Sequence, residues 1–347
     1  MSKTTSITIK SERAGLAGHV SQRFLLMACC LLLAALCGAQ QAAPPAAAGN
    51  APASQSPDKA SSEQSDAPLP GDWAVELLDG ILSAPNAQAA DSLFRAAFAA
   101  GQSIVPQLAQ ALKDDRTAEY AAQALAFIGG DQAMQILWKL QDDKRDLNLR
   151  RFCYGALAEY DTDQANQTLF QVIAKSDAEP DRTVTEAAIM ALTVRTDPKL
   201  TDLIHQAEKK VTDVVIRDDL ENALDVIQIR SKYLATPEGK KAGGSVDSAV
   251  RTYFMPALLP PPPSPSDTQA HRTPAKPDVK VEIQNLAFAP DQQRVLAGVT
   301  LEDPSAVAKY DLVLQKRLGN WEVVSVWLGS EIEKPVSVPS SKPTADQ

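Results

Sequence analysis

The feature that most restricts this chain is a stretch that repeats itself. Residues 116–143 read as one helix, a Gly129-Gly130 stop, an Asp131 cap and a second helix closing on Leu140. Asp131-Gln132-Ala133 recurs as Asp163-Gln164-Ala165, 32 residues on, and Asp197 with Leu200 and Leu203 is a looser copy after a further 34. An Ala-Leu pair marks the preceding helix each time, with the leucines at Leu125, Leu157, Leu192 and Leu224. A period of this length in helical sequence means stacked hairpins, none of which buries its apolar face alone. Apolar residues at three-and-four spacing predict helices at about 72–84, 88–100, 102–113, 116–128, 131–141, 146–159, 162–175, 182–195, 198–209 and 213–234.

The repeat also resembles a known pattern. Arg116, the Ala-rich helix ending Ala124-Leu125 and Ile128-Gly129, then Asp131 and a Leu-rich helix ending in Asp142-Asp143, are similar to the short HEAT-like repeats of the phycobilisome-lyase (PBS lyase) repeat family. Gly101 to Leu112 resembles the end of an earlier copy, while later copies replace the glycine pair by Asp161-Thr162 and Thr196-Asp197. The resemblance implies a mostly α fold, an α-α superhelix of about five helical hairpins over residues 71–236. It implies no activity and no cofactor, because the shared residues pack and cap.

The flanks differ in character. Residues 24–37 are an uncharged apolar run behind a basic leader, too short for a membrane span and suited to a signal-peptide core. Cys37-Gly38-Ala39 places small residues where a signal peptidase reads, so the chain is expected to be exported and cleaved after Ala39. Acylation of Cys37 is the rival, disfavoured by Leu36 before it; an uncleaved anchor is the third outcome. The first 39 residues carry +3, so of the total of −9 the remainder holds −12, which argues against nucleic acid or an anionic membrane as a partner. Residues 40–70 are an Ala, Pro, Ser and Gln tether with too little apolar content to order itself.

Past the helices, residues 237–277 read as a flexible and proline-rich linker with one short amphipathic helix at 246–258, strained at Pro256. From 278 to 330 the period changes to two. Val279 to Ile283, Val295 to Leu301, Tyr310 to Leu314 and Trp321 to Leu328 predict a four-stranded antiparallel β module, with turns at Pro290-Asp291, Asp303-Pro304 and Gly319-Asn320. So small a sheet is marginal alone, so one face must be covered by the 246–258 helix or by the end of the helical array. Val250 to Phe254 and Gly319 to Val323 resemble the first helix and final hairpin of the ketosteroid-isomerase-like α+β cone, whose other helices have no counterpart here. Residues 331–347 read as a polar tail.

No familiar catalytic or metal-binding constellation is present in the sequence. Beyond the leader, Cys153 is alone and on an apolar helix side, His205 sits on a helix surface, and His271 lies among prolines. Asp114-Asp115, Asp142-Asp143 and Asp218-Asp219 read as helix-end or surface charge. Trp138 and Phe170 hold equivalent places in two repeats, either as a partner-binding surface on the concave side or, more commonly for such residues, as core between repeats. The sequence thus points to a non-enzymatic envelope scaffold that binds a protein or peptide. A small-ligand or isomerase-like role for the β module and a structural tether are the alternatives.

Overall fold

The computed structural model describes residues 73–145, 147–179, 181–197, 199–258 and 278–334. The leader with Cys37 and Ala39, the 40–70 tether, the proline run with His271 and the tail beyond 334 lie outside the described residues. The described chain is mostly helical and closes with one small antiparallel sheet.

Among the described residues ten α-helices come first: α1 (Trp73–Leu82), α2 (Ala87–Ala100), α3 (Val105–Ala111), α4 (Ala118–Ile128), α5 (Gly130–Trp138), α6 (Leu147–Ala156), α7 (Asp163–Ile173), α8 (Arg182–Thr193), α9 (Leu200–Glu208) and α10 (Val214–Leu234). Their starts are set by short polar side chains. Asn86 accepts the Ala89 N–H at 2.9 Å, Thr162 that of Ala165 at 3.2 Å, and Asp213 that of Val215 at 2.8 Å, each satisfying an orphan amide of the first turn. Asp131 does not cap as expected. Gly129 and Gly130 both take positive φ, 62° and 77°, so α5 begins one residue earlier and Asp131 falls inside its first turn. The amide of Gly130 is served instead by Glu159, at 3.2 Å.

Helices α2, α4, α6, α8 and α10 pack each on the next, and α3, α5, α7 and α9 pack behind them. The pairing follows from sequence: Ala121, Leu125, Leu157, Ala188, Leu192 and Leu220 recur at helical spacing and are all buried.

A 3-10 segment, Gly239–Gly244, then leads through α11 (Val246–Tyr253) and α12 (Met255–Leu258) to β1 (Lys280–Phe288), β2 (Arg294–Glu302), β3 (Ala306–Arg317) and β4 (Asn320–Glu333). Pro256 is not a strain point, because it falls in the first turn of a new helix where its missing N–H costs little. The sheet order is β1-β2-β3-β4, all antiparallel. The last hairpin turns at Leu318-Gly319, one residue before the expected position, with φ of 50° and 86° as a two-residue loop matching strand twist requires.

Both sheet faces are covered, where one had been required. Leu296, Val313 and Val324 join the core of α1 to α6, while Val295, Ala297, Tyr310 and Leu312 face α11 in the core of α7 to α11. The ring of Phe254 lies 5.2 Å from that of Tyr310. Two-sided burial explains why β2 and β3 are almost continuously apolar.

Two polar joints and one wedge seat the sheet on the helices. Arg95 of α2 is bidentate to Asp91 at 2.9 Å and also donates to Asp311 at 2.8 Å and to the Leu296 carbonyl at 3.0 Å. Gly298 makes room for it, since a Cβ there would stand 2.6 Å from the guanidinium. Arg294 of β2 pairs with Glu159 and donates to the Phe127 carbonyl at 3.4 Å. Trp327 of β4 sets its six-membered ring against Gly155 of α6, between Phe127 at 6.1 Å and Phe152 at 5.7 Å. Trp327→Ala is expected to cost about 3–4 kcal/mol. Hydrogen exchange should then show protection lost in α6 and β3 together, whereas loss limited to β4 would mean that the two parts do not share a core.

Candidate functional site

The ends of α6, α8 and α10 arrive on one side of the molecule, where β4 and the 3-10 segment 239–244 meet them. Between these elements lies a cleft of about 320 Å³, walled by Arg195, Arg230, Lys240, Arg317, Trp321 and Val323 among others. Its position follows from helix chemistry. The last carbonyls of a helix have no partner within it, and here arginines from neighbouring elements take them. Arg195 donates to the carbonyls of Leu157 at 3.0 Å and Tyr160 at 2.8 Å, and to Asp161 at 3.0 Å. Arg230 donates to the carbonyls of Thr193 and Val194, and its guanidinium stacks 4.9 Å from the centre of the Tyr253 ring. Ser231 adds a bond to the Thr196 carbonyl at 2.7 Å.

Arg195 and Arg230 are 3% and 5% exposed, and the Nε of each has no hydrogen-bond partner. Burial lowers the pKa of both, but a guanidinium retains its charge at any physiological pH. The carboxylates of the cleft are already engaged. Glu159 is held by Arg294, Asp161 by Arg195 at 3.0 Å and Glu322 by Arg317 at 3.7 Å.

A smaller cleft of about 90 Å³ opens beside Trp327, lined by Arg151, Phe152, Thr183, Glu186 and Met190 among others. Arg151 pairs with Glu119 at 3.1 Å. Burial pushes Glu186 up to about 7, helped by nearby Asp219, Asp181 and Asp213, against Arg182 at 3.1 Å. Asp219 is likewise raised to about 7 by burial, and its Oδ2 has no hydrogen-bond partner.

The residues singled out from sequence stand elsewhere. Phe170 is 9% exposed and Trp138 packs partly buried against the same core, so both serve packing between helices. Neither lines a cleft described above. Cys153 is fully buried and its thiol is pushed up to about 12, which leaves no thiolate for chemistry. His205 is half exposed with Nδ1 3.3 Å from Glu208. Asp114 and Asp143 pair with Arg116 and Arg145 at the surface, whereas Asp219 is 3% exposed rather than on a charged face. Among the described residues, no group of three or more His, Cys, Asp or Glu converges as a metal site, and no helix is long and apolar enough to cross a membrane. The cleft residues escaped the sequence reading. A usable signal was there, since Arg195 and Arg230 each follow an Ala-Leu pair, three and six residues after its leucine.

No protein-family model matches the chain, and no curated protein matches it.

Arg195→Met should remove three bonds, to the buried Leu157 carbonyl, the part-buried Tyr160 carbonyl and the exposed Asp161 carboxylate, and lower stability by about 2–4 kcal/mol in urea titration. Arg195→Lys should recover less than half, because an ammonium cannot reach both carbonyls in a fork. The raised carboxyl of Glu186 sets a pH dependence. It binds its proton at about 7 when folded and near 4.3 in an unfolded chain, so the folded state holds more protons between these values. Stability therefore falls as pH rises through that window. Glu186→Gln should make the fall shallower; an unchanged slope would show that Glu186 ionises freely in the fold.

Proposed function

We propose that this chain is a non-enzymatic scaffold of the bacterial cell envelope that recognises a protein or peptide partner. The observation that carries the reading is the cleft at the helix ends. Two of its cations, Arg195 and Arg230, are immobilised on backbone carbonyls and its carboxylates are locked in ion pairs, which suits it to hold a group in place rather than to move protons. The HEAT-like superhelix remains part of the proposal, supported by the side-by-side packing of α2, α4, α6, α8 and α10 at the repeat spacing. Partner recognition then shifts from the aromatic pair Trp138 and Phe170 to the cleft rim.

A second reading has its own support. A volume of about 320 Å³ lies at the lower end of the range of small-ligand sites, about 300–1,000 Å³, so a small-ligand role involving the C-terminal strands is the competitor.

The test is a photo-crosslinking residue at Leu318, which is fully exposed on the hairpin beside the cleft. A discrete adduct in envelope extracts, lost in Lys240→Glu, is the expected result. No cleft-dependent adduct, together with a small molecule that raises Tm, would replace the scaffold by the ligand-binding reading. The compartment is tested separately by intact mass. A chain beginning at Gln40 is expected, while a lipid on Cys37 would make it membrane-anchored and an intact Met1 in the cytoplasm would remove the envelope.

A further inference from the structure

The same cleft carries a statement about ligand chemistry, which rests on its being a binding site. Although the chain is acidic overall, at −9, the cleft wall holds Arg195, Arg230, Lys240 and Arg317 against Glu159, Asp161 and Glu322. With Arg294, which holds Glu159 from beside the wall, five cations stand against three carboxylates, a surplus of two. The surplus has an address. Asp161 and Glu322 are taken by Arg195 and Arg317, and Glu159 by Arg294. Arg230 and Lys240 have no carboxylate within ion-pair distance among the described residues.

Arg230 is the unusual member. It is 5% exposed and is compensated only by two helix-end carbonyls and the face of Tyr253, with its Nε unbonded. A buried cation without a counterion is costly, and an anion brought beside it recovers part of that cost. Because the guanidinium is already fixed, little side-chain freedom is lost when the anion arrives. Lys240, exposed at the mouth, adds a second charge on a mobile stem.

The remaining wall specifies the body of the ligand. Trp321, Leu234, Val323 and Ala249 are apolar and lie beside the cations. Three carboxylates and the negative ends of α6 and α8 oppose a doubly charged group more than a singly charged one. We propose that the cleft binds a monoanionic carboxylate carrying an apolar body, with Arg230 and Lys240 as its cationic contacts and Trp321 as its apolar wall. A peptide partner supplies such a group at its C-terminus or on an acidic side chain beside an apolar one.

Titration calorimetry of the full mature chain with hexanoate, benzoate, hexanamide and inorganic phosphate tests this, with amide shifts followed at Gly239, Gly243 and Thr252. Hexanoate and benzoate should saturate, at least about tenfold tighter than hexanamide or phosphate. Lys240→Glu, at an exposed position that leaves the core intact, should weaken them by a similar factor, and Arg230→Lys should weaken them while the fold survives. Several results would overturn the proposal: no saturation up to about 10 mM, equal binding of hexanamide, equal or tighter binding of phosphate, or affinity unchanged in Lys240→Glu. The scaffold reading fails differently. An adduct at Leu318 with no saturable binding of hexanoate or benzoate keeps the scaffold and sinks the carboxylate site, whereas carboxylate binding without any adduct does the reverse.

Discussion

A helix ends on carbonyls with nothing in the helix to bond to, and in this protein a guanidinium from another element takes them. Arg195 reaches back to the end of α6, Arg230 to the end of α8, and Arg294 of the sheet to the end of α4. Each bond adds a donor to a helix-end carbonyl and sets a positive charge against the negative end of the helix dipole. The apolar contacts between neighbouring helices supply most of the adhesion but little direction. The arginines supply direction, because a planar fork fits two acceptors in only one way. Since the helices of this layer end on the same side, the groups that hold the layer also wall the cleft.

The sheet is seated by the same kind of contact. Arg95 and Arg294 lie at separate points along the layer and fix where β2 crosses it. Glycines permit these close approaches. A Cβ at Gly129 would stand 2.1 Å from Glu159 and one at Gly155 would stand 2.4 Å from Trp327. The Gly129-Gly130 pair that reads in the sequence as a helix stop is therefore also the seat of a buried ion pair.

That difference shows what the sequence makes legible. The helices are plain because each carries its own apolar period, and the buried alanines and leucines fall where that period places them. The strands are underdrawn where the alternation breaks. β1 runs on to Phe288 past an irregularity between Ile283 and Asn285, and β4 continues to Glu333 past a register shift at Gly329, with Ser330 pairing with Lys309 of β3 without an apolar signal. Glu186 and Asp219 look like surface charges in sequence because acids on helices nearly always are, yet both are enclosed. The two buried arginines leave a trace in the sequence, but the cleft that they wall does not. Its members run from Ala158 to Val324 and come together only where the helix ends meet the 3-10 segment and β4. The aromatic pair Trp138 and Phe170 offered a stronger pattern and turned out to be packing.

The insertion of the sheet has a consequence for the order in which the chain is made. Arg95 bonds to Leu296 and Asp311, which are 201 and 216 residues further along. During synthesis α2, α4 and α6 therefore emerge with an apolar flank that has no cover until the last strands appear. Contacts of such long range are slow to form, because the intervening chain must be confined before they give anything back. A chain built this way completes its core last, when β2 and β3 reach the side chain of Arg95.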